Sequence, residues 1–216
     1  FINRSSRGAL YITDDCFTAS PRRVAAAASV VEEENLSIAL EARVADILRD
    51  EIFEDIRRIR PVKIEIGAEC GYPEGLSRVG KGITIEEINK AAGRLKETQL
   101  AEKTRFSFVM GLPWEGRREV TATMKFAAEL GAKAGAHIQL NWFTCYPRSP
   151  VQQNAAQWKI DIRPEDYDRP FWWKDVEIFN RTHPKLSAEK ALDTLSYLEL
   201  LKKIYPDIAF EGLLGT

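Results

Sequence analysis

Val62-Lys63-Ile64-Glu65-Ile66-Gly67-Ala68-Glu69 alternates apolar residues with charged residues or glycine over its whole length. Successive side chains of a strand point to opposite faces. Val62, Ile64, Ile66 and Ala68 therefore share one face, and Lys63, Glu65, Gly67 and Glu69 share the other. The same split recurs over residues 38–44, where Ile38, Leu40, Ala42 and Val44 oppose Ala39, Glu41 and Arg43. It recurs again where Ile138, Leu140 and Trp142 oppose His137, Gln139 and Asn141. A parallel strand that is dry on both faces reads as a nearly continuous apolar run. Burying Glu41, Arg43, Glu65 and Glu69 in a dry core without partners would be prohibitive. The pattern predicts a sheet with one face against helices and the other lining a polar, hydrated cavity. A wide, incomplete barrel fits this, and a tightly filled eight-stranded barrel does not.

Working outward, short strand-like runs alternate with helical patterns. Residues 9–13 read as the first strand. Ser20 and Pro21 then open an Ala-rich helix to about Glu34, as N-cap and first helical residue. Residues 38–44 read as a strand and 46–60 as a helix that stops before Pro61. After the strand at 62–69, Thr84-Ile85-Glu86-Glu87 is a capping box that opens a helix to about Glu97. Residues 106–110 are a fourth strand, 118–134 a long helix and 137–146 a fifth strand. Ser187 caps a last helix, whose Leu192, Leu195, Leu198 and Leu201 are expected on one stripe. Five strands alternating with helices imply parallel strands with helical crossovers. The fold class is α/β.

Composition narrows the function. The chain has 44% hydrophobic and 29% charged residues, which fits a globular protein and excludes a disordered or collagen-like one. A net charge of -1 supplies no global attraction to nucleic acid or to an anionic membrane, so neither is expected as a partner. Three cysteines are too few for a disulfide scaffold and point to a reducing, cytoplasmic compartment. The first residues lack the charged leader and apolar core of a signal peptide, and the chain starts at Phe1, which suggests a fragment.

In parallel α/β folds, ligands bind at the carboxyl ends of strands. Those ends carry Asp14 and Asp15, Glu41 and Arg43, Glu69 and Gly71, and Gly111-Leu112-Pro113-Trp114-Glu115. Carboxylates accept from an ammonium or a ribose diol, Arg43 can clamp a carboxylate, and glycines let backbone N–H groups approach. The set suits a small zwitterionic or polyhydroxylated ligand.

Six ordered segments carry a more specific likeness. They are residues 12–18 (ITDDCFT), 41–44 (EARV), 65–71 (EIGAECG), 76–84 (LSRVGKGIT), 108–115 (FVMGLPWE) and 146–150 (YPRSP). Together they resemble radical S-adenosylmethionine (radical SAM) enzymes, especially the branch associated with a cobalamin-binding domain. The resemblance implies a partial parallel (β/α)6 TIM-like barrel lacking its first strand. Residues 1–150 would be this barrel, strands two to six, and residues 151–216 an aromatic-rich segment and C-terminal helix packed on it. The implied cofactors are S-adenosylmethionine (SAM), a 4Fe-4S cluster and, in that branch, cobalamin. Asp14 and Asp15 would meet the methionine amine, Arg43 the carboxylate and Glu69 the ribose. Gly71, Gly111 and Pro113 complete the expected cofactor-binding set, with the segment from Gly111 backing the adenine.

The departure from the family is as informative. Its cluster is held by three cysteines spaced C-x3-C-x2-C, a motif that Cys16, Cys70 and Cys145 do not make. The resemblance then implies a cluster-bearing N-terminal portion outside this chain, which would be one partner. A reductant for the cluster and a small-molecule or peptide substrate would be the others. In the complete enzyme a radical formed from SAM would abstract hydrogen from substrate, with methyl transfer or ring-forming chemistry as outcomes. The alternative is a non-catalytic binding or scaffold subunit on the same barrel.

Several features have plainer readings. Cys16, Cys70 and Cys145 are either small buried hydrophobes or a converging thiolate site. Glu41 and Arg43 share a strand face and either bind ligand or pair with one another. His137 is expected at a strand start with a backbone partner rather than in catalysis. Trp114 either packs over a base or fills space. Residues 147–184 lack a clean period but hold Trp158, Tyr167, Phe171, Trp172 and Trp173, dense enough for a lid or substrate-side wall.

Overall fold

The computed structural model describes residues 10–14, 17–207 and 210–211. Asp15 and Cys16 lie outside the described residues. A parallel sheet runs in chain order: β1 (Leu10–Tyr11), β2 (Ile38–Ala42), β3 (Lys63–Glu69), β4 (Thr104–Met110), β5 (His137–Trp142) and β6 (Phe210–Glu211). The first five are the strands expected from the sequence. β6 was not expected: two residues pair in parallel with Ile138 and Gln139 of β5.

The alternation is realised on β3 and β4. β2 departs from it: Ala39 on its expected polar face is buried, the strand ends at Ala42, and Arg43 and Val44 lead into the next helix. β5 likewise ends at Trp142 rather than at residue 146. Ile64, Ile66 and Ala68 of β3, and Phe106, Phe108 and Met110 of β4, are fully buried against helices. Lys63, Glu65, Gly67 and Glu69 are half-buried on the other face. There the side chains satisfy one another. The Tyr11 hydroxyl donates to Glu41 at 2.6 Å and lies 3.3 Å from Glu65, while Arg105 donates to Glu65 at 3.1 Å. Lys63 pairs with Glu65 at 2.5 Å. Burial pushes the Glu65 carboxyl up, but Lys63 and Arg105 outweigh it and hold the group below its usual value. Burial, and then the carboxylates of Glu41 and Glu65, push the Tyr11 phenol up.

Helices cover the dry face. They are α1 (Pro21–Glu34), α2 (Val44–Ile47), α3 (Asp50–Ile59), α4 (Pro73–Val79), α5 (Ile85–Glu97) and α6 (Arg117–Ala134). Ser20 caps α1 and the Thr84–Glu87 box caps α5, as their sequences predict. Two helical expectations are corrected. Residues 46–60 form two helices, because buried Asp46 anchors α2 to Thr18 and Arg43, and Asp50 and Glu51 start a new N-terminus in α3. The unexpected α4 begins at Pro73 and ends at left-handed Gly80.

The chain continues through α7 (Pro150–Gln153), two 3-10 turns (Pro164–Asp168 and Trp172–Lys174), α8 (Val176–Thr182) and α9 (Ala188–Ile204). Among the described residues no helix is long and apolar enough to cross a membrane. The stripe expected on α9 is also corrected. Ala191, Thr194, Leu198 and Leu201 are buried, and Leu192 is 55% exposed. A strict spacing of three drifts around a helix of 3.6 residues per turn, so it cannot hold one face. Leu198→Ala should cost about 2–5 kcal/mol in urea unfolding, and Leu192→Ala should stay within about 0.5 kcal/mol. Equal costs would contradict this helix register.

Candidate functional site

Because the sheet is parallel and in chain order, the carboxyl ends of β1 to β5 meet along one rim. A cavity of about 530 Å3 opens there. Its walls include Glu69, Val109, Leu112, Asn141, Trp142, Phe143, Tyr146, Trp173 and Lys174.

Glu69 ends β3 at a bulge: Gly67 is in register with Ser107, and Glu69 with Phe108. Its φ is 63°, a left-handed conformation that is uncommon for a residue with a side chain. The bulge re-aims the side chain. The carboxylate folds back over Gly67 and pairs with Lys81. A Cβ on Gly67 would lie 2.5 Å from Glu69 Oε1 and 2.6 Å from Lys81 Nζ, so a side chain there would push these two charged tips aside. On β5, Asn141 donates to Ser107 at 3.2 Å. The indole N–H of Trp142 is buried with no hydrogen-bond partner.

The other predicted residues take different places. Asp14, exposed beyond β1, pairs with Arg23. Arg43 holds Asp46 in a two-pronged fork, Nε to Oδ2 at 2.7 Å and Nη2 to Oδ1 at 2.8 Å. Glu41 is bonded to Tyr11, so the contacts described for Glu41 and Arg43 run to other residues. Gly71 donates its N–H to Thr123 at 3.1 Å, and a Cβ there would lie 2.7 Å from the Thr123 Cα. Its bareness lets α6 approach. Gly111 has φ 76° and sits between Trp142 and His183, where a Cβ would be 2.8 Å from the imidazole Cδ2. Pro113 is buried in the same turn. His137 meets the Glu102 carbonyl at 3.0 Å, the backbone partner expected of it.

Three further residues hold the rim: Glu115, quoted in the sequence motif but given no role of its own, and Tyr72 and His183, which no motif singled out. Glu115, 1% exposed, accepts from the Tyr72 hydroxyl at 2.7 Å and from the Leu112 N–H at 3.0 Å. Burial raises its carboxyl above the usual value, while the donors Tyr72, Leu112 and Gly111 favour the charged form. Its place directly after the Gly-Leu-Pro-Trp turn was the available signal. Tyr72 also accepts from the Trp114 indole at 3.1 Å. That indole packs on Trp158, 5.3 Å between centroids, in a separate cleft with Arg78. Trp114 thus stands outside the main cavity.

His183 is the third, and no sequence period marks it. It is buried, stacks on Phe179 at 3.6 Å and meets the Phe179 carbonyl at 2.9 Å through Nδ1. Burial lowers its pKa to about 4, against the carbonyls of Phe179 and Phe143. Cys70 and Cys145 are buried thiols, and burial pushes Cys145 up to about 11. Among the described residues no three His, Cys, Asp or Glu side chains are grouped to hold a metal ion. The described side chains do not make a 4Fe-4S site.

A histidine whose folded pKa lies below its unfolded value near 6.5 stabilises the fold as the neutral form. That stability is present above pH 6.5 and is lost as pH falls toward 4. The chain should therefore lose about 2 kcal/mol through His183 between pH 7.5 and pH 5. His183→Phe, which cannot take a proton, should lack that component. Urea unfolding of both chains at the two pH values measures it, and identical pH slopes would refute it.

No protein-family model matches the chain. Over 143 residues it is 30% identical to an uncharacterized methyltransferase of Pyrococcus horikoshii, a match spanning 66% of this chain. Among solved structures it is similar to Escherichia coli HemN, coproporphyrinogen III oxidase, a radical SAM enzyme. That likeness has a TM-score of 0.57 at 16% identity over 84% of this chain. It is also similar to Methanocaldococcus infernus Elp3 lacking N-terminal residues, with a TM-score of 0.56 at 13% identity over 91% of this chain. The chain spans 30% of the length of the methyltransferase, 37% of HemN and 54% of Elp3. What the chain shares with these two structures is the fold, an α/β sheet of parallel strands like that of a radical SAM barrel.

Proposed function

We propose that this chain is the SAM-holding part of a radical SAM enzyme core. Glu69 is the observation that carries the reading. A residue bearing a carboxylate is held in a left-handed backbone conformation, with the carboxylate folded over Gly67 and paired with Lys81, in a cavity at the strand ends. Backbone outliers of this kind cluster at functional sites. The six ordered motifs and the fold shared with HemN support the same reading.

In this reading Glu69 accepts hydrogen bonds from the ribose hydroxyls, with Lys81 holding the carboxylate in place. Asn141 and the unpaired Trp142 N–H offer further polar contacts in the same wall. The ordered motifs assign Asp14 and Asp15 to the methionine amine and Arg43 to the carboxylate. Asp14 would exchange its pairing with Arg23, and Arg43 its fork on Asp46, for these contacts. The turn from Gly111 to Pro113, tied down by Glu115 and His183, backs the adenine. The residues present fit SAM and not the cluster, whose ligands we assign to a portion of the enzyme outside this chain. When bound, the cluster would supply an electron to SAM, and cobalamin would support methyl transfer or ring-forming chemistry. This chain's residues orient SAM and wall off part of the substrate space.

Calorimetry with SAM tests the central assignment. Glu69→Ala should weaken binding by roughly 1–3 kcal/mol, the loss expected for a charged hydrogen bond. Circular dichroism should report an unchanged fold. Equal affinity for the two chains would remove Glu69 from the site.

A further inference from the structure

The cavity has a second wall of different chemistry. Trp172 is 8% exposed, and three aromatic rings meet it nearly edge-on: Tyr167 at 4.9 Å, Trp173 at 6.0 Å and Tyr146 at 6.1 Å. Tyr167 is fixed by its hydroxyl, which donates to the Cys145 carbonyl at 3.0 Å. Asp166, 1% exposed, is forked by Arg181 at 2.8 and 2.9 Å, which ties the preceding turn to α8. One buried indole therefore carries two rings that stay open. Tyr146 is 62% exposed and Trp173 49% exposed, and both line the cavity beside Phe143. Lys174, exposed in the same wall, has its ammonium 6.0 Å from the centre of the Phe171 ring and no carboxylate partner among the described residues.

Large aromatic rings left open beside a cavity mark an interaction surface. Rings held rigidly from behind bind flat partners at little entropic cost. An unpaired ammonium beside them selects for negative charge and against a cation. We propose that Tyr146, Trp173 and Lys174 form a substrate subsite for a planar aromatic molecule carrying a carboxylate or phosphate. As a substrate assignment this rests on the SAM reading of the Glu69 wall. The rings would clamp the ring system, and Lys174 would fix its anionic end.

The test titrates the full chain, with and without saturating SAM, against four probes: 2-naphthoate, 2-naphthyl phosphate, 2-naphthylmethylammonium and saturated decalin-2-carboxylate. Both naphthyl anions should bind, and the tighter of the two names the anion. The ammonium and the saturated acid should bind about tenfold more weakly. Trp173→Ala and Tyr146→Ala should each weaken naphthyl anion binding by about tenfold. Lys174→Ala should erase the preference for anion over cation. SAM affinity should be the same in all three variants. Naphthyl anions that bind no better than the saturated acid, or bind equally to both ring variants and the parent, would overturn the subsite. If SAM fails to bind while the naphthyl anions still discriminate, the SAM reading falls and the aromatic-anion subsite stands.

Discussion

A parallel sheet with charged residues on one face must find water or partners for them, and the rest of this molecule follows from that constraint. In register, Glu41 lies beside Glu65, and Glu65 beside Arg105. Two adjacent carboxylates would repel in a dry interior. Here the Tyr11 hydroxyl sits between them, and Lys63 and Arg105 oppose the second. The polar face therefore stays folded inward without being dry. The opposite face, with Ile64, Ile66, Phe106 and Phe108, supplies the apolar burial that holds the sheet to its helices.

A wet inner face creates a cavity only if the strand ends present useful groups to it. The bulge at the end of β3 does this by setting Glu69 in a left-handed conformation. For a residue with a side chain that conformation costs about 1–2 kcal/mol. The surrounding groups hold it there: Lys81 pairs with the carboxylate, and bare Gly67 leaves room beneath it. The neighbouring turn is held by a buried carboxylate, Glu115, and by a buried neutral imidazole, His183. Both stand outside the cavity wall and shape it by fixing the backbone.

The irregular chain after β5 is ordered by a few buried anchors rather than by periodic packing. Asp166 with Arg181, Tyr167 with the Cys145 carbonyl, and the Trp172 hub each tie one turn to another. Such anchoring leaves Tyr146 and Trp173 free to face the cavity. Helix α9 packs against α6 and α8, buries Thr194 and Leu198, and leaves Leu192 in solvent.

Strand alternation, the capping residues Ser20 and Thr84, and the acidic strand ends were all legible in the sequence, because each is a local pattern set by backbone geometry. Helix α4 has its signals in the sequence too, Pro73 in its first turn and Gly80 after its last, although no helix was assigned there. The fork between Arg43 and Asp46, the approach of α6 to Gly71, the seat of Gly111 against His183 and the grouping of Tyr146 with Trp173 were not. Local residue patterns were enough to specify an α/β chain with one polar strand face and a rim of candidate ligand groups. Which of those groups line the cavity emerged from the folded arrangement, because contact between residues tens of positions apart depends on register, crossover and packing. Those are properties of the whole sheet that no local spacing encodes.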